Sequence, residues 1–311
     1  PAGDPRVIGF MHKTLFPEIS KSLADKAGIR SFFYGNFGEG HAEWTTYPPL
    51  ARFGTTYVGL RNRLSILSEA YKYDPYKTRI LSTLDFVRQS LETTARHRAE
   101  ILAMLEAARA DAIQAGRAPR PGDRVTLRSV AELVPESSTI LGFTEQAERD
   151  HRFTSAAFKD YKVRRRANFV ATESVSRPHA YLIPRRFAEA LANLHRHGLD
   201  LQELREDVEL PVEIYRVDSI ERTSNRYEGH HPVNVAVTPR AGVERIPAGT
   251  IVVSTAQSLG ALAVYLLEPR SEDGLTTWNF FDSGLTSGDD FPVRRLSRPA
   301  DLKLAPFSAR P

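Results

Sequence analysis

Hydrophobic residues recur at helical spacing near the start of the chain. They form one face between residues 4 and 28, which comprises Val7, Ile8, Phe10, Met11 and Leu15. Asp4 can accept a hydrogen bond from a free amide of the first turn, and Gly28 suits the left-handed stop. Pro17 has no amide proton to donate, so the pattern predicts a helix with a kink or a second start at that residue.

A second, longer helical pattern runs from residue 75 to residue 116. Its apolar positions repeat every three or four residues and comprise Ile80, Leu81, Leu84, Val87 and Leu91, followed by Ile101, Leu102 and Leu105. A polar stretch at 92–98 separates the two groups. It fits either a solvated part of one helix or a break between two helices, and His97 within it is expected at the surface.

Between these helices, residues 59–73 alternate in a way that suits a β-strand. One face would carry Leu60, Leu64 and Ile66, and the other Arg61, Arg63, Leu67 and Glu69. Helical spacing of Leu60, Leu64 and Leu67 competes with this interpretation. The β-branched and aromatic residues at 55–58 favour the strand, which we therefore predict.

The rest of the chain reads mainly as short strands. We predict strands at 29–33, 124–134, 138–143, 212–222 and 246–253, a loop at 35–46, and a β-α-β unit with strands at 179–184 and 199–204 around a helix at 185–197. The residues from Ser254 to Gln257 match a capping box, so a helix carrying Leu259 to Leu266 is expected to follow and to end before Pro269. The aromatic run at 277–282 predicts a buried anchor or a strand.

Composition adds the domain organisation. With 311 residues and 41% hydrophobic content, the chain is long enough for two domains. The Pro- and Gly-rich segment 117–123 is typical of a linker, which gives domains at 1–116 and 124–311. The net charge of +4 is too small to indicate nucleic-acid binding, and no apolar run approaches the roughly 20 residues of a membrane span. Without cysteine there is no disulfide or thiolate site.

Glu69 is the candidate for acid–base chemistry. A carboxylate at the end of a buried strand is poorly solvated, which raises its pKa and suits it to accept protons near neutrality. The alternative is an ordinary ion pair between Glu69 and Arg61 or Arg63, and spacing alone favours that pair.

The histidines and the basic cluster give weaker signals. His12 is expected to be solvated, and His195 and His197 point to different faces of their helix. The adjacent His230 and His231 would need partners from elsewhere to hold a metal. The cluster at 159–166 is the only dense basic run and can touch phosphates, but nearby acidic residues and the lack of an aromatic stacking pattern favour a solvated face.

Several stretches together resemble the end of the catalytic domain of bacterial zinc carboxypeptidase-like metallopeptidases. These stretches are Phe32-Phe-Tyr-Gly-Asn-Phe37, Trp44-Thr-Thr-Tyr47, Arg52-Phe-Gly-Thr-Thr-Tyr57 and Gly59-Leu-Arg-Asn-Arg-Leu-Ser-Ile-Leu-Ser-Glu-Ala-Tyr71. In that family the general-base glutamate lies on a late strand of the α/β domain, and Glu69 matches it. A loop tyrosine that binds the substrate near its C-terminus corresponds to Tyr47, with Tyr57 as a nearby alternative. The second half resembles the C-terminal extension of the same proteins at 246–250, 259–262 and 278–282.

The resemblance implies a zinc-dependent hydrolase that removes C-terminal residues from peptides. The implied fold is α/β: the end of a mixed-sheet α/β/α domain, followed by a smaller α+β domain. The family's zinc is held by His-x-x-Glu and a later histidine, all ahead of the base, yet only His12 and His41 precede Glu69 and neither stands in His-x-x-Glu. We therefore expect the ligands for Zn²⁺ upstream of this chain.

Two further expectations follow from the missing ligands. The chain is expected to be the C-terminal part of a longer enzyme and inactive by itself, with a peptide as partner and neither nucleic acid nor membrane. Enzymes of this type are often exported, which favours a secreted or periplasmic location. The alternative is a non-catalytic binding or scaffold module derived from the same fold.

Overall fold

The computed structural model describes residues 3–71, 74–148 and 151–308, and over these ranges the protein is a mixed α/β structure. The α-helices are α1 (Pro5–Phe10), α2 (Phe16–Ala27), α3 (Gly54–Leu60), α4 (Tyr76–Arg96), α5 (Arg98–Arg117), α6 (Ala188–Arg196) and α7 (Gly260–Leu267). The strands are β1 (Asn36–Phe37), β2 (Glu43–Thr45), β3 (Arg124–Glu148), β4 (His151–Ser176), β5 (Ala180–Ile183), β6 (Gln202–Leu204), β7 (Val208–Arg222), β8 (Val233–Ile246), β9 (Ile251–Ser254), β10 (Arg294–Leu296) and β11 (Leu304–Pro306). No helix in the described ranges is long and apolar enough to cross a membrane.

The first helical pattern folds as predicted, with one local adjustment. Asp4 caps α1 by accepting a hydrogen bond from the Arg6 amide at 2.8 Å, and Gly28 ends α2 with φ of 67°. A π-helical turn, Met11–Leu15, lies between α1 and α2, immediately ahead of Pro17. Because Pro17 cannot donate to the helical ladder, the wider turn lets the chain restart as α2, which is the second start that the sequence predicts.

The second helical pattern is two helices, because α4 ends and α5 begins at His97. The His97 ring is partly buried rather than on the surface: it contacts the Phe10 ring and lies 3.0 Å from a carboxylate oxygen of Glu18. The carboxylates of Glu18 and Glu100 both accept hydrogen bonds from His97 and thereby raise its pKa. The break at 92–98 is therefore fixed by a contact with the first helix.

The orientation of α4 differs from the expectation that an apolar stripe faces the core. Ile80, Leu84 and Leu91 are 49, 50 and 67% exposed, whereas Gln89 and Thr93 are buried. The reason is that Phe86 packs into the cluster formed by α1, the π-helical turn, α2 and α5. Residues three and seven positions after Phe86 lie on the same helix face, so Gln89 and Thr93 are carried inside with it.

Replacing Gln89 with Met is expected to stabilise the protein by about 1 kcal/mol. The Gln89 Oε1 atom is buried without a hydrogen-bond partner among the described residues, and such an atom costs desolvation energy that a thioether of similar length avoids. Chemical denaturation measures the change, with Gln114→Met on the exposed side of α5 as the matched control. A loss of stability in Gln89→Met alone would contradict this reading.

Four strands form the first sheet, in the order β1-β2-β4-β3. Strands β3 and β4 make a long antiparallel hairpin, and β2 adds to β4 in parallel. The two short strands predicted at 124–134 and 138–143 are parts of one strand. The register shifts between Leu133 and Ser137, on either side of Pro135, because proline has no amide proton for the ladder.

Seven strands form the second sheet, in the order β11-β6-β9-β5-β10-β7-β8, with every pair antiparallel. Strand β9 lies between β5 and β6, which therefore run parallel and make, with α6, the predicted β-α-β unit. The main core lies on this sheet and includes α7, which is buried on all sides. Phe281 is fully buried in a turn rather than a strand, so the aromatic run is an anchor.

Four predicted elements are wrong. The predicted loop at 35–46 contains the two short strands β1 and β2. Residues 59–71 form the end of α3 and then irregular chain, with residues 72 and 73 outside the described ranges, and residues 29–33 form no strand. Asn62, at φ of 55°, ends α3, and its side chain donates to the Ser258 carbonyl at 2.8 Å. The capping box also fails, since Gln257 donates to the Ser254 carbonyl in a separate turn and α7 begins only at Gly260. At Asn62 a contact with a distant part of the chain replaces the local pattern.

Candidate functional site

An open cleft runs between the first helices and the inner face of the β3–β4 hairpin. Its volume is ≈ 1300 Å³, and segments 29–36, 44–49 and 55–71 contribute to its walls. Most of the stretches that carry the carboxypeptidase resemblance therefore border one space. The described residues place Glu69 and Tyr47 on this cleft together.

Glu69 lies in the irregular segment after α3, with an exposed side chain, and not at the end of a buried strand. The predicted burial is therefore wrong. Within the described ranges its carboxylate has neither a hydrogen bond nor an ion pair. Arg61 is engaged elsewhere, since it donates to the Tyr57 hydroxyl at 3.0 Å and to the His197 carbonyl. The alternative in which Glu69 pairs with Arg61 or Arg63 is therefore not what the structure shows.

Tyr47 is held by contacts at both ends of its side chain. Its hydroxyl lies 2.7 Å from the Thr55 Oγ1 atom, and its ring packs edge-on against Phe53 and Tyr34. When Thr55 is the donor of this hydrogen bond, the hydroxyl proton of Tyr47 remains free for a ligand. Tyr57, the nearby alternative, instead lies 2.8 Å from the Nδ1 atom of His197.

A second polar group on the cleft is Arg165 of β4. Its guanidinium carbon lies 4.5 Å from the centre of the Phe33 ring, and His12 packs against the same ring. His12 has an exposed side chain, as the sequence predicts, while partial burial and the charge of Arg165 both lower its pKa. In the sequence, Arg165 lies within the basic cluster at 159–166, whose composition predicts a solvated face. Because side chains alternate between the two faces of a strand, the sequence does place Arg165 on the opposite face from Arg164 and Arg166.

The described residues do not fit a catalytic zinc ion. Such a site needs three protein ligands and an open position, and no group of three His, Asp or Glu side chains with metal-binding geometry occurs in the described ranges. The paired histidines are occupied in a turn, where His230 contacts Asn279 and His231 contacts the Thr223 carbonyl. The chemistry available in the cleft thus includes the free carboxylate of Glu69, the hydroxyl of Tyr47 and the guanidinium of Arg165.

Comparison with known proteins gives matches over part of the chain. It is 32% identical to carboxypeptidase 2 of Trichophyton equinum over 121 residues, which is 39% of this chain and 22% of that protein. It is 31% identical to carboxypeptidase 2 of Trichophyton rubrum over the same length, and 33% identical to a probable carboxypeptidase 2 of Arthroderma benhamiae over 126 residues. For both, the match covers 39% of this chain, and 22 and 23% of those proteins.

The aligned part thus spans less than a quarter of the length of these fungal relatives. No protein-family model matches the chain, and no solved structure matches it. Within these limits, the partial similarity relates the chain to carboxypeptidases.

Proposed function

We propose that the chain supplies the substrate-binding side of a carboxypeptidase-related hydrolase that removes C-terminal residues from peptides. One observation carries the proposal: Glu69 presents a carboxylate to a large cleft without a pairing partner among the described residues. A carboxylate that is not neutralised by a neighbouring cation is available to accept a proton. The partial similarity to carboxypeptidases supports the reaction class.

In this proposal Glu69 accepts a proton from the attacking water and returns it to the leaving amine. Tyr47 donates a hydrogen bond to the substrate near its C-terminus, with its ring fixed by Phe53 and its oxygen by Thr55. A ring that is already packed loses little conformational entropy when a ligand binds. Both side chains border the same cleft, as the two roles require.

Zinc is implied by the family resemblance, but the described residues offer no ligand set for it. We therefore assign no step to a metal and propose hydrolysis only for the complete protein. The chain as given is expected to bind no zinc stoichiometrically and to hydrolyse no peptide. Metal analysis after dialysis against zinc, together with a peptidase assay, tests both expectations.

The decisive variant is Glu69→Gln in the complete protein, for which we expect loss of turnover with substrate affinity retained. The amide keeps the size of the side chain but cannot take up a proton. Glu209→Gln, an exposed glutamate on β7, is the matched control and is expected to leave turnover unchanged. Unchanged turnover in Glu69→Gln would remove Glu69 from the proposed mechanism.

The second candidate function is a non-catalytic peptide-binding module, favoured by the lack of a metal-ligand group in the described ranges. It predicts that the complete protein binds peptides in the cleft and hydrolyses none. Binding and turnover measured on the same preparation separate the two functions.

A further inference from the structure

Strand alternation sorts the three consecutive arginines of β4 into two environments. Arg164 and Arg166 lie on one face, where both reach the carboxylate of Glu43 on β2, at 2.8 and 3.0 Å. Arg165 points to the opposite face, into the cleft. A single glutamate thus pairs with the two outer arginines, and the central one lies on the other face, away from that carboxylate.

Arg165 has no such partner in the described part of the chain. No carboxylate of the described residues lies within 4 Å of Arg165, and its Nε atom is buried without a hydrogen bond to any of them. Burial lowers the pKa of Arg165, with only the exposed Glu136 opposing that effect from a distance. Removing an unpaired cation from water is unfavourable, and an anion that reaches the guanidinium relieves that cost.

The surroundings of Arg165 restrict the kind of anion. The Phe33 ring covers one face of the guanidinium, so the edge with its N–H groups is what remains for a ligand. Phe16 packs edge-on against Phe33, and His12 lies beside both rings. One free guanidinium among aromatic rings suits a single carboxylate on an apolar molecule better than a polyphosphate or a nucleic-acid backbone.

We propose that Arg165 is a carboxylate-binding residue of the cleft, and that the ligand is a peptide or acylated amino acid with an apolar side chain. The planar guanidinium binds the carboxylate with two hydrogen bonds, while the rings of Phe33 and Phe16 contact the apolar side chain. The identification of this carboxylate as the C-terminus of a peptide rests on the proposed function. Binding of the carboxylate itself does not require hydrolysis.

The test compares N-acetylphenylalanine with N-acetylphenylalanine amide, which differs only in lacking the charge. Isothermal titration of the full chain is expected to show at least about tenfold tighter binding of the acid, the factor that one charge-assisted hydrogen bond typically gives. In Arg165→Met the affinity for the acid is expected to fall to that for the amide, while the affinity for the amide stays unchanged.

Two further variants make the result specific. Arg164→Met removes the same charge from the adjacent position but on the Glu43 face, and it is expected to bind both probes like the parent chain. Arg165→Lys keeps the charge but not the planar fork, so intermediate affinity for the acid is expected. Circular dichroism and thermal melting establish that each variant is folded.

The assignment is overturned if the parent chain binds acid and amide equally or binds neither. It is also overturned if Arg164→Met loses as much acid affinity as Arg165→Met. The proposed function fails separately: if the complete protein hydrolyses no peptide but still selects the acid through Arg165, carboxylate binding stands and hydrolysis falls. If Glu69→Gln abolishes turnover while Arg165→Met changes neither binding nor turnover, hydrolysis stands and the role of Arg165 falls.

Discussion

Replacing Arg295 with Met is expected to lower the free energy of unfolding by about 3–5 kcal/mol, the range for breaking a buried ion pair. Arg295 and Glu268 are 6 and 1% exposed, and the Arg295 Nε atom lies 3.0 Å from the Glu268 carboxylate. The hydroxyls of Tyr181 and Tyr215 donate to the same carboxylate at 2.6 and 2.9 Å. Without Arg295, this carboxylate remains buried with no cation beside it.

The loss is expected to grow with pH. Burial raises the pKa of Glu268, and Arg295 opposes that rise. A carboxyl group with a raised folded-state pKa contributes less stability as pH increases from its unfolded value toward its folded value. Removing Arg295 raises the folded-state pKa further, so the difference between variant and parent is smaller near pH 5 than near pH 8. Urea denaturation at both pH values measures it.

Two variants control this experiment. Arg245→Met removes an exposed arginine paired with Asp207, and only a small change in stability is expected, since water already solvates that pair. Adding Glu268→Leu to Arg295→Met removes both buried charges and is expected to recover part of the loss, though the two tyrosine hydroxyls then lose their acceptor. If Arg295→Met alone is as stable as the parent at pH 8, the ion pair between Arg295 and Glu268 contributes nothing to the free energy of unfolding.

Replacing Asp273 with Ala is expected to cost about 3 kcal/mol, because a buried acceptor of several hydrogen bonds is removed. The Asp273 carboxylate is buried and accepts from the Arg52 amide at 2.5 Å, from the Arg52 Nε atom at 2.9 Å and from the Trp278 indole at 2.8 Å. The guanidinium carbon of Arg52 also lies over the rings of Tyr227 and Trp278, 5.0 and 4.8 Å from their centres.

This contact joins the segment that follows Tyr47 to the second sheet, so its loss is expected to loosen the cleft wall. Hydrogen exchange should accelerate in residues 46–53 of the Asp273→Ala variant, alongside the lower melting temperature. Asp25→Ala, which removes an exposed partner of Lys21, is the matched control and should change neither. Unchanged exchange in a destabilised Asp273→Ala variant would mean that the segment is held by other contacts.

The domain division at the segment 117–123 stays a prediction. Contacts such as the one between Arg52 and Asp273 connect the parts of the chain on either side of that segment.

Where local interactions decide the backbone, the sequence was sufficient to predict it. Asp4 marks the start of α1 because its side chain accepts a hydrogen bond from the first turn. Gly28 marks the end of α2 because it adopts the left-handed conformation there. Pro17 changes the helix for an equally local reason. The β-α-β unit was predictable because each of its elements carries its own hydrophobic period.

The candidate site was predictable only in part. The resemblance pointed to Glu69 and Tyr47, and the fold brings both to one cleft, but spacing suggested an ion pair with Arg61 or Arg63 that does not form. Arg61 instead donates a hydrogen bond to the carbonyl of His197, a residue far along the chain. Arg165 stood out only once β2 had paired with β4 and placed Glu43 beside Arg164 and Arg166.

The sequence by itself thus determined the start of α1 at Asp4, the end of α2 at Gly28 and the restart of the helix near Pro17, since each depends on a few neighbouring residues. Tertiary structure alone decided which face of α4 is buried and that residues 61–71 are not a strand. It also decided which arginines are left without a carboxylate. These outcomes depend on packing and charge pairing between residues distant in sequence, and such contacts outweigh local preferences of less than about 1 kcal/mol per residue.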